Sequence, residues 1–225
     1  MLLTLETSTA VCSAALFENG KLLAHSELFI QKAHATMLTV LIDQLLQQVG
    51  LPSAALSGVA VSAGPGSYTG LRVGVSVAKG LCFALQIPLY MADTLRILAR
   101  VAQSYVWGQP SALLMPMLDA RRMEVYTAVF RSDLSVVTAA APLVLTEGVL
   151  AGLLSEQPIM VFGDGAEKAY KMLAHPNLHF LPNLYPSAKA LGELLTVHPL
   201  APADLAYSEP VYLKEFQTQA SFKQG

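Results

Sequence analysis

Four residues near the start of the chain, Glu6, Thr7, Ser8 and Thr9, place an acid and three hydroxyls directly after a short apolar run. A strand that ends in such residues and then turns back as a hairpin can wrap a phosphate. The acid can hold a metal ion or orient a water molecule. A polar turn at the end of a strand has the same sequence, so both interpretations stay open, with the polar turn favoured.

A glycine-rich run between a predicted strand and a predicted helix is the second candidate; it reads Gly64-Pro65-Gly66-Ser67-Tyr68-Thr69-Gly70-Leu71-Arg72-Val73-Gly74. A glycine turn before a helix capped by Ser67 or Thr69 can present backbone N–H groups to an anion. The spacing matches neither a Walker loop nor a dinucleotide fingerprint. Ser67 also lacks the glycine spacing of a hydrolase nucleophile. The run is therefore an anion cradle or a structural turn, and we favour the structural turn.

The histidines and arginines offer weaker candidates. His34 has Leu38 four residues later, so no pair of histidines grips a metal ion there, and His175 and His179 flank a predicted loop. Two arginines after Asp119 can clamp a phosphate, or they can belong to a solvated hairpin. We predict no catalytic residue and no metal ligand.

Composition narrows the functional classes. The chain has 225 residues, of which 53 % are hydrophobic and 13 % are charged, and its net charge is −2. Charged content is about half the usual quarter, which indicates that some surface is hidden against a partner. Neither half is basic enough for strong autonomous nucleic-acid binding. We expect a cytoplasmic protein without membrane contact, because no targeting segment and no run of about 18 apolar residues is visible. Cys12 and Cys82 lie in apolar runs and are expected to be buried and unpaired.

The pattern along the chain predicts an α/β fold with mixed sheets flanked by helices. The first part gives hairpin strands over 2–5, 11–17 and 22–28, strands over 59–61 and 88–91, and helices over 33–49, 69–85 and 94–105. The second gives strands over 113–118, 124–130 and 159–162, and helices over 147–154, 166–174 and 187–197. We predict an N-terminal lobe over 1–106 and a C-terminal lobe over 107–225. The final segment is expected to pack back on the first lobe, with the last ten residues loosely ordered.

Helices 33–49 and 69–85 carry unusually little charge, since only Asp43, Arg72 and Lys79 are charged between residues 33 and 92. Small residues also recur along one stripe of the second helix, which favours close approach of another backbone. We predict that the two helices contact a partner chain; full burial inside one lobe is the alternative. The predicted interface comprises His34, Met37, Leu38, Leu41, Leu45, Gly70, Leu71, Gly74, Val75 and Ala78.

Five motifs in order along nearly the whole chain resemble the bacterial TsaB family, also called YeaZ. They are Leu5-Glu6-Thr7-Ser8, the glycine run 64–74, Asp119-Ala120-Arg121-Arg122-Met123-Glu124-Val125-Tyr126, Phe162-Gly163-Asp164-Gly165-Ala166 and Glu209-Pro210-Val211-Tyr212-Leu213-Lys214. The resemblance implies a two-lobed actin-like ATPase fold, of the superfamily that includes sugar kinases and Hsp70.

The resemblance also implies a role in the threonylcarbamoyl modification (t6A) of adenosine 37 in tRNA. The chain would be a non-catalytic subunit that pairs with and activates a catalytic paralogue, TsaD, together with the ATPase TsaE. It implies no cofactor of the chain's own, ATP use by the complex, and weak nucleotide binding at most. It implies contact with tRNA through the complex rather than alone, and a homodimer when the chain is isolated.

Two departures from the catalytic relatives favour loss of catalysis. Leu38 stands where the second histidine of the paralogue's His-x-x-x-His metal motif would be, and Glu6 stands where the superfamily usually has Asp. The resemblance leaves a vestigial phosphate-binding set, namely Glu6, Thr7, Ser8, Gly163, Asp164 and Gly165. An autonomous ATP-dependent phosphotransferase or ATPase is the alternative.

Overall fold

The structure is a computed structural model that describes residues 1–30, 34–106 and 111–214. Its first sheet has the strand order β3-β2-β1-β4-β5. The strands are β1 (Leu2–Glu6), β2 (Cys12–Glu18), β3 (Lys21–Leu28), β4 (Gly58–Gly64) and β5 (Leu89–Asp93). β1, β2 and β3 form an antiparallel meander, and β4 and β5 run parallel to β1. The helices of this unit are α1 (His34–Gln48), α2 (Tyr68–Leu85) and α3 (Thr94–Ala102).

The second sheet repeats this topology, with the order β8-β7-β6-β9-β10. Its strands are β6 (Leu113–Asp119), β7 (Glu124–Phe130), β8 (Val136–Val144), β9 (Ile159–Phe162) and β10 (Leu178–Leu181). The helices are α4 (Ala151–Glu156), α5 (Ala166–Leu173) and α6 (Ala188–Val197). Each unit therefore runs through a three-strand meander, helix, strand, helix, strand and helix.

Local sequence signals explain most of these elements. The β2–β3 hairpin turns through Asn19 and Gly20, whose φ angles are +51° and +76°, as the Asn-Gly pair predicts. Ser67 caps α2, because its hydroxyl accepts a hydrogen bond from the Gly70 N–H at 3.2 Å. Ser187 caps α6 in the same way through the Ala190 N–H.

The sequence prediction missed β8 and β10. β8 is an edge strand that is exposed along most of its length, so its side chains do not alternate between apolar and polar. β10 has only four residues.

One apolar cluster lies between the two sheets, and two others lie between each sheet and its own helices. α3 and α6 pack against each other and join both sheets through one apolar cluster. α6 is tied to the first sheet, since Thr4 donates to the Ala188 carbonyl at 2.7 Å and the Ala188 N–H donates to Ser13. α6, which belongs to the predicted second lobe, thus packs against the first sheet.

The predicted lobe boundary, final segment and cysteines can each be compared with the structure. The lobe boundary at 106/107 stays a prediction, since residues 107–110 lie outside the described ranges, as do the last ten residues. Residues 203–212 pack on the first lobe. Cys12 and Cys82 are buried and unpaired, as predicted. Within the described ranges, none of the helices is long and apolar enough to cross a membrane.

Candidate functional site

The glycine run packs directly against the turn that follows β1. A Cβ atom at Gly66 would lie under 3.0 Å from the Ser8 carbonyl oxygen, and one at Gly70 under 3.0 Å from the Thr7 carbonyl oxygen. The Ser67 N–H donates to the Ser8 carbonyl at 2.6 Å, and the Thr7 hydroxyl donates to the Gly70 carbonyl at 2.8 Å. The glycines therefore let two segments of the same chain meet backbone to backbone.

Glu6 is the last residue of β1, directly before this turn, and is fully buried. Its Oε1 accepts from the Ser8 N–H at 2.6 Å, whereas no hydrogen bond reaches Oε2 from the described residues. Burial raises the pKa of the Glu6 carboxyl. The polar groups of Ser8 and Ser62 lie nearby and lower this pKa by a smaller amount. Neither hydroxyl attains hydrogen-bond geometry with a partner among the described residues. The acid is thus enclosed, and burial shifts its ionisation toward the neutral form, unlike that of an acid open to substrate.

The second unit repeats this arrangement after β6. Cβ atoms at Gly163, whose φ is +99°, and at Gly165 would collide with the backbone of residues 117–119. Asp164 accepts from the Asp119 N–H at 2.9 Å, and the Gly165 N–H donates to the Met117 carbonyl at 3.0 Å. Burial, together with the Asp119 carboxylate, raises the pKa of Asp164. The vestigial phosphate set thus forms two self-packed turns.

Four backbone donors of these turns are already bonded within the chain. A phosphate cradle needs backbone N–H groups that point outward, but the N–H groups of Ser8, Ser67, Asp119 and Gly165 all bond to other groups of the chain. At these four positions the geometry corresponds to a structural turn.

The turn after Asp119 is a braced hairpin. Lys168 of α5 pairs with the Asp119 carboxylate and donates to the carbonyls of Arg122 and Glu124 at 2.8 and 2.6 Å. An ion pair from Lys168 of α5 thus braces this turn.

The described residues also offer no metal site of at least three acidic, histidine or cysteine ligands. His34 is buried, and its Nε2 lies 3.3 Å from the Val11 carbonyl oxygen, which suits a core histidine. His175 lies in the loop before β10, where its Nδ1 accepts from the Asn177 N–H.

The predicted interface residues require a correction. Leu38, Leu41, Leu45, Val75 and Ala78 belong to the core cluster of the first lobe, and Leu71 is fully buried. Gly74 faces Thr7 and Val61 rather than solvent, and among the ten residues only Met37 is partly exposed. The prediction that this face meets a partner was wrong for the buried residues, because α1 and α2 cover the first sheet with it.

The opposite faces of α1 and α2 remain open. Val40 is 39 % exposed and Phe83 is 71 % exposed. Arg72 is engaged by the Tyr212 hydroxyl and Lys79 by the carbonyls of Ala206 and Ser208. The outer face of the helix pair carries few charged residues, as the sequence predicts, but it is formed mostly by residues other than the ten predicted ones.

The chain is similar in sequence to known proteins. The TsaD family model, tRNA N6-adenosine threonylcarbamoyltransferase, matches residues 28–211. The chain is 32 % identical over 133 residues to the TsaB protein of Escherichia coli K12, named as a tRNA threonylcarbamoyladenosine biosynthesis protein; this match covers 59 % of the chain and 55 % of that protein. A TsaB of Bacillus subtilis 168 is 32 % identical over 130 residues, covering 58 % and 55 %. The match thus spans about half the length of these curated relatives.

Solved structures extend the likeness to the whole fold. YeaZ from Pseudomonas aeruginosa aligns with a TM-score of 0.77 at 27 % identity, covering 94 % of this chain and 99 % of that one. An inorganic polyphosphate/ATP-glucomannokinase from Arthrobacter sp. strain KM aligns with a TM-score of 0.51 at 13 % identity, covering 88 % and 98 %, which shows the fold alone. The two-lobed actin-like fold is thereby confirmed. The chain belongs to the TsaD family, and its relatives group it with the TsaB (YeaZ) proteins.

Proposed function

We propose that the chain is a non-catalytic subunit required for t6A formation at adenosine 37 of tRNA, where it pairs with and activates a TsaD-like catalytic paralogue alongside a TsaE-like ATPase. The proposal rests on the family and on one observation, the weakly charged outer face of α1 and α2. A face with few charges and with exposed apolar side chains such as Val40 and Phe83 suits a protein–protein contact. Self-association of the isolated chain through the same face follows from the same property.

The enclosed turns support a subunit without catalysis of its own. Glu6 is fully buried, and the backbone N–H groups of Ser8, Ser67, Asp119 and Gly165 are bonded within the chain. We therefore propose that the chain needs no nucleotide, that ATP is consumed by its partners, and that tRNA meets it only within the complex. We expect this work to take place in the cytoplasm, where tRNA is used.

Association with the paralogue tests the proposal. Phe83→Asp places a charge on the open face, so we expect it to weaken binding to the paralogue by at least about tenfold and to lower t6A in cellular tRNA. Tyr105→Asp is the matched control, because Tyr105 is similarly exposed, at 62 %, but lies after α3. Sedimentation would measure binding, and nucleoside mass spectrometry would measure t6A.

The outcome separates this function from the alternative. If Phe83→Asp binds the paralogue like the wild type, the assigned face is wrong. If the isolated chain hydrolyses ATP and Glu6→Gln abolishes that hydrolysis, the autonomous ATPase is the better account.

A further inference from the structure

A strap formed by residues 203–214 follows α6 and returns over the first lobe. The Ala203 N–H donates to the Leu89 carbonyl at 2.8 Å, and the Val211 N–H donates to the Ala63 carbonyl at 2.7 Å. A Cβ at Gly64 would lie under 3.0 Å from the Val211 carbonyl oxygen, so the glycine run also makes room for the strap. The strap is therefore held on the first lobe by backbone contacts at Ala203 and Val211, and its last residue, Lys214, pairs with Glu124 of β7.

The strap is also fastened to α2. The Tyr212 ring packs against Tyr68 with a centroid distance of 4.9 Å, and its hydroxyl accepts from Arg72 Nε at 3.1 Å. Lys79 Nζ donates to the carbonyls of Ala206 and Ser208, each at 3.1 Å. Both cationic side chains of α2 thus bind the strap.

Tyr207 lies between the two carbonyls that Lys79 holds. Its N–H also donates to the Asp204 carboxylate at 3.0 Å, so its backbone is fixed. Its side chain is nevertheless 85 % exposed. A fixed tyrosine with an open ring suits protein recognition, because little conformational freedom is lost when the ring is covered.

The strap borders the open face of α2. Arg72, Lys79 and Phe83 follow one another at spacings of seven and four residues, so they share one stripe of the helix. Because the first two hold the strap, Phe83 lies on the flank that faces it. Phe83 thus lies one turn after Lys79, and Tyr207 lies between the two carbonyls that Lys79 holds, so Lys79 links the two exposed rings.

We infer that the strap is the second half of the partner surface and that Tyr207 is one of its anchoring residues. This inference rests on the proposed function, and the occupant is the TsaD-like paralogue. The TsaD model matches residues 28–211 of this chain, a range that includes α1, α2 and most of the strap, so we expect a TsaD-like paralogue to carry a comparable helix pair that could pack against this surface. Lys79 acts as a positioning residue, since it holds the strap without needing to touch the partner.

Three variants test the inference by sedimentation of the full chain with the paralogue. Tyr207→Ala should weaken binding by about tenfold, as expected for a tyrosine anchor, and leave the melting temperature unchanged. Lys79→Met should weaken binding by a smaller factor than Tyr207→Ala does, because Lys79 only holds the strap in place. Tyr105→Ala, which removes an equally large exposed ring elsewhere, should bind like the wild type.

The outcomes distinguish this inference from the proposed function. If Phe83→Asp weakens binding while Tyr207→Ala does not, the strap is no part of the surface and the proposed function stands. If Tyr207→Ala weakens only self-association, the occupant is a second copy of this chain and the inference is overturned. If Phe83→Asp has no effect either, the assigned face fails together with the strap.

Discussion

The contact between α2 and the turn after β1 predicts opposite effects of the same substitution at two glycines of one helix. Gly74 and Gly80 both lie inside α2, where Ala is favoured over Gly by about 1 kcal/mol. A Cβ at Gly80 meets nothing within 4 Å. A Cβ at Gly74 would lie under 3.0 Å from the Thr7 hydroxyl and 3.3 Å from Val61 Cγ2.

The Thr7 side chain cannot easily move aside, because it is fully buried and donates to the Gly70 carbonyl. Overpacking costs about 1–3 kcal/mol and a lost hydrogen bond about 1 kcal/mol, so Gly74→Ala should lose about 2 kcal/mol net of the helix gain. Gly80→Ala should gain up to about 1 kcal/mol. For a chain of this size these values correspond to a fall of about 4–8 °C and a rise of about 2–4 °C in melting temperature.

Thermal and urea unfolding of the isolated chain would measure both variants. The double variant Thr7→Ala with Gly74→Ala should be more stable than the sum of the single changes, since the removed side chain is the one that collides. The reasoning is refuted if Gly74→Ala stabilises the chain as much as Gly80→Ala does. It is also refuted if Gly74→Ala leaves the isolated chain unchanged and only impairs partner binding.

Two further predictions concern the enclosed acid and the second turn. Because burial raises the pKa of Glu6, the folded chain binds a proton that the unfolded chain has lost, so wild-type stability should fall as pH rises from 4.5 to the raised pKa and then level off. Glu6→Gln should lack this fall, and a parallel pH dependence of urea midpoints in both proteins would contradict the neutral acid. Lys168→Met should destabilise the chain by about 1–3 kcal/mol, because it removes charged hydrogen bonds that hold the turn after β6. Lys171→Met, one turn from it in α5, should change the melting temperature little, since Lys171 only makes an exposed pair with Glu167.

Local chemistry made much of the fold predictable. The Asn19–Gly20 turn, the Ser67 and Ser187 caps and the apolar strands act over a few residues, so the sequence alone indicates them. The low charge of α1 and α2 likewise follows from composition. The absence of a second histidine at Leu38 is equally visible in the sequence.

The sequence by itself determined that α2 carries a stripe of small residues and that some backbone must approach it closely. Only the tertiary structure decided whose backbone that is. Thr7 meets Gly70 because β1 pairs with β4, and this pairing joins segments more than fifty residues apart. The stripe of small residues thereby lies inside the lobe, where Glu6 is also buried. The face left for a partner is the opposite one. A pattern along one helix gives the spacing of its faces, but which face is covered depends on the strands packed beneath it.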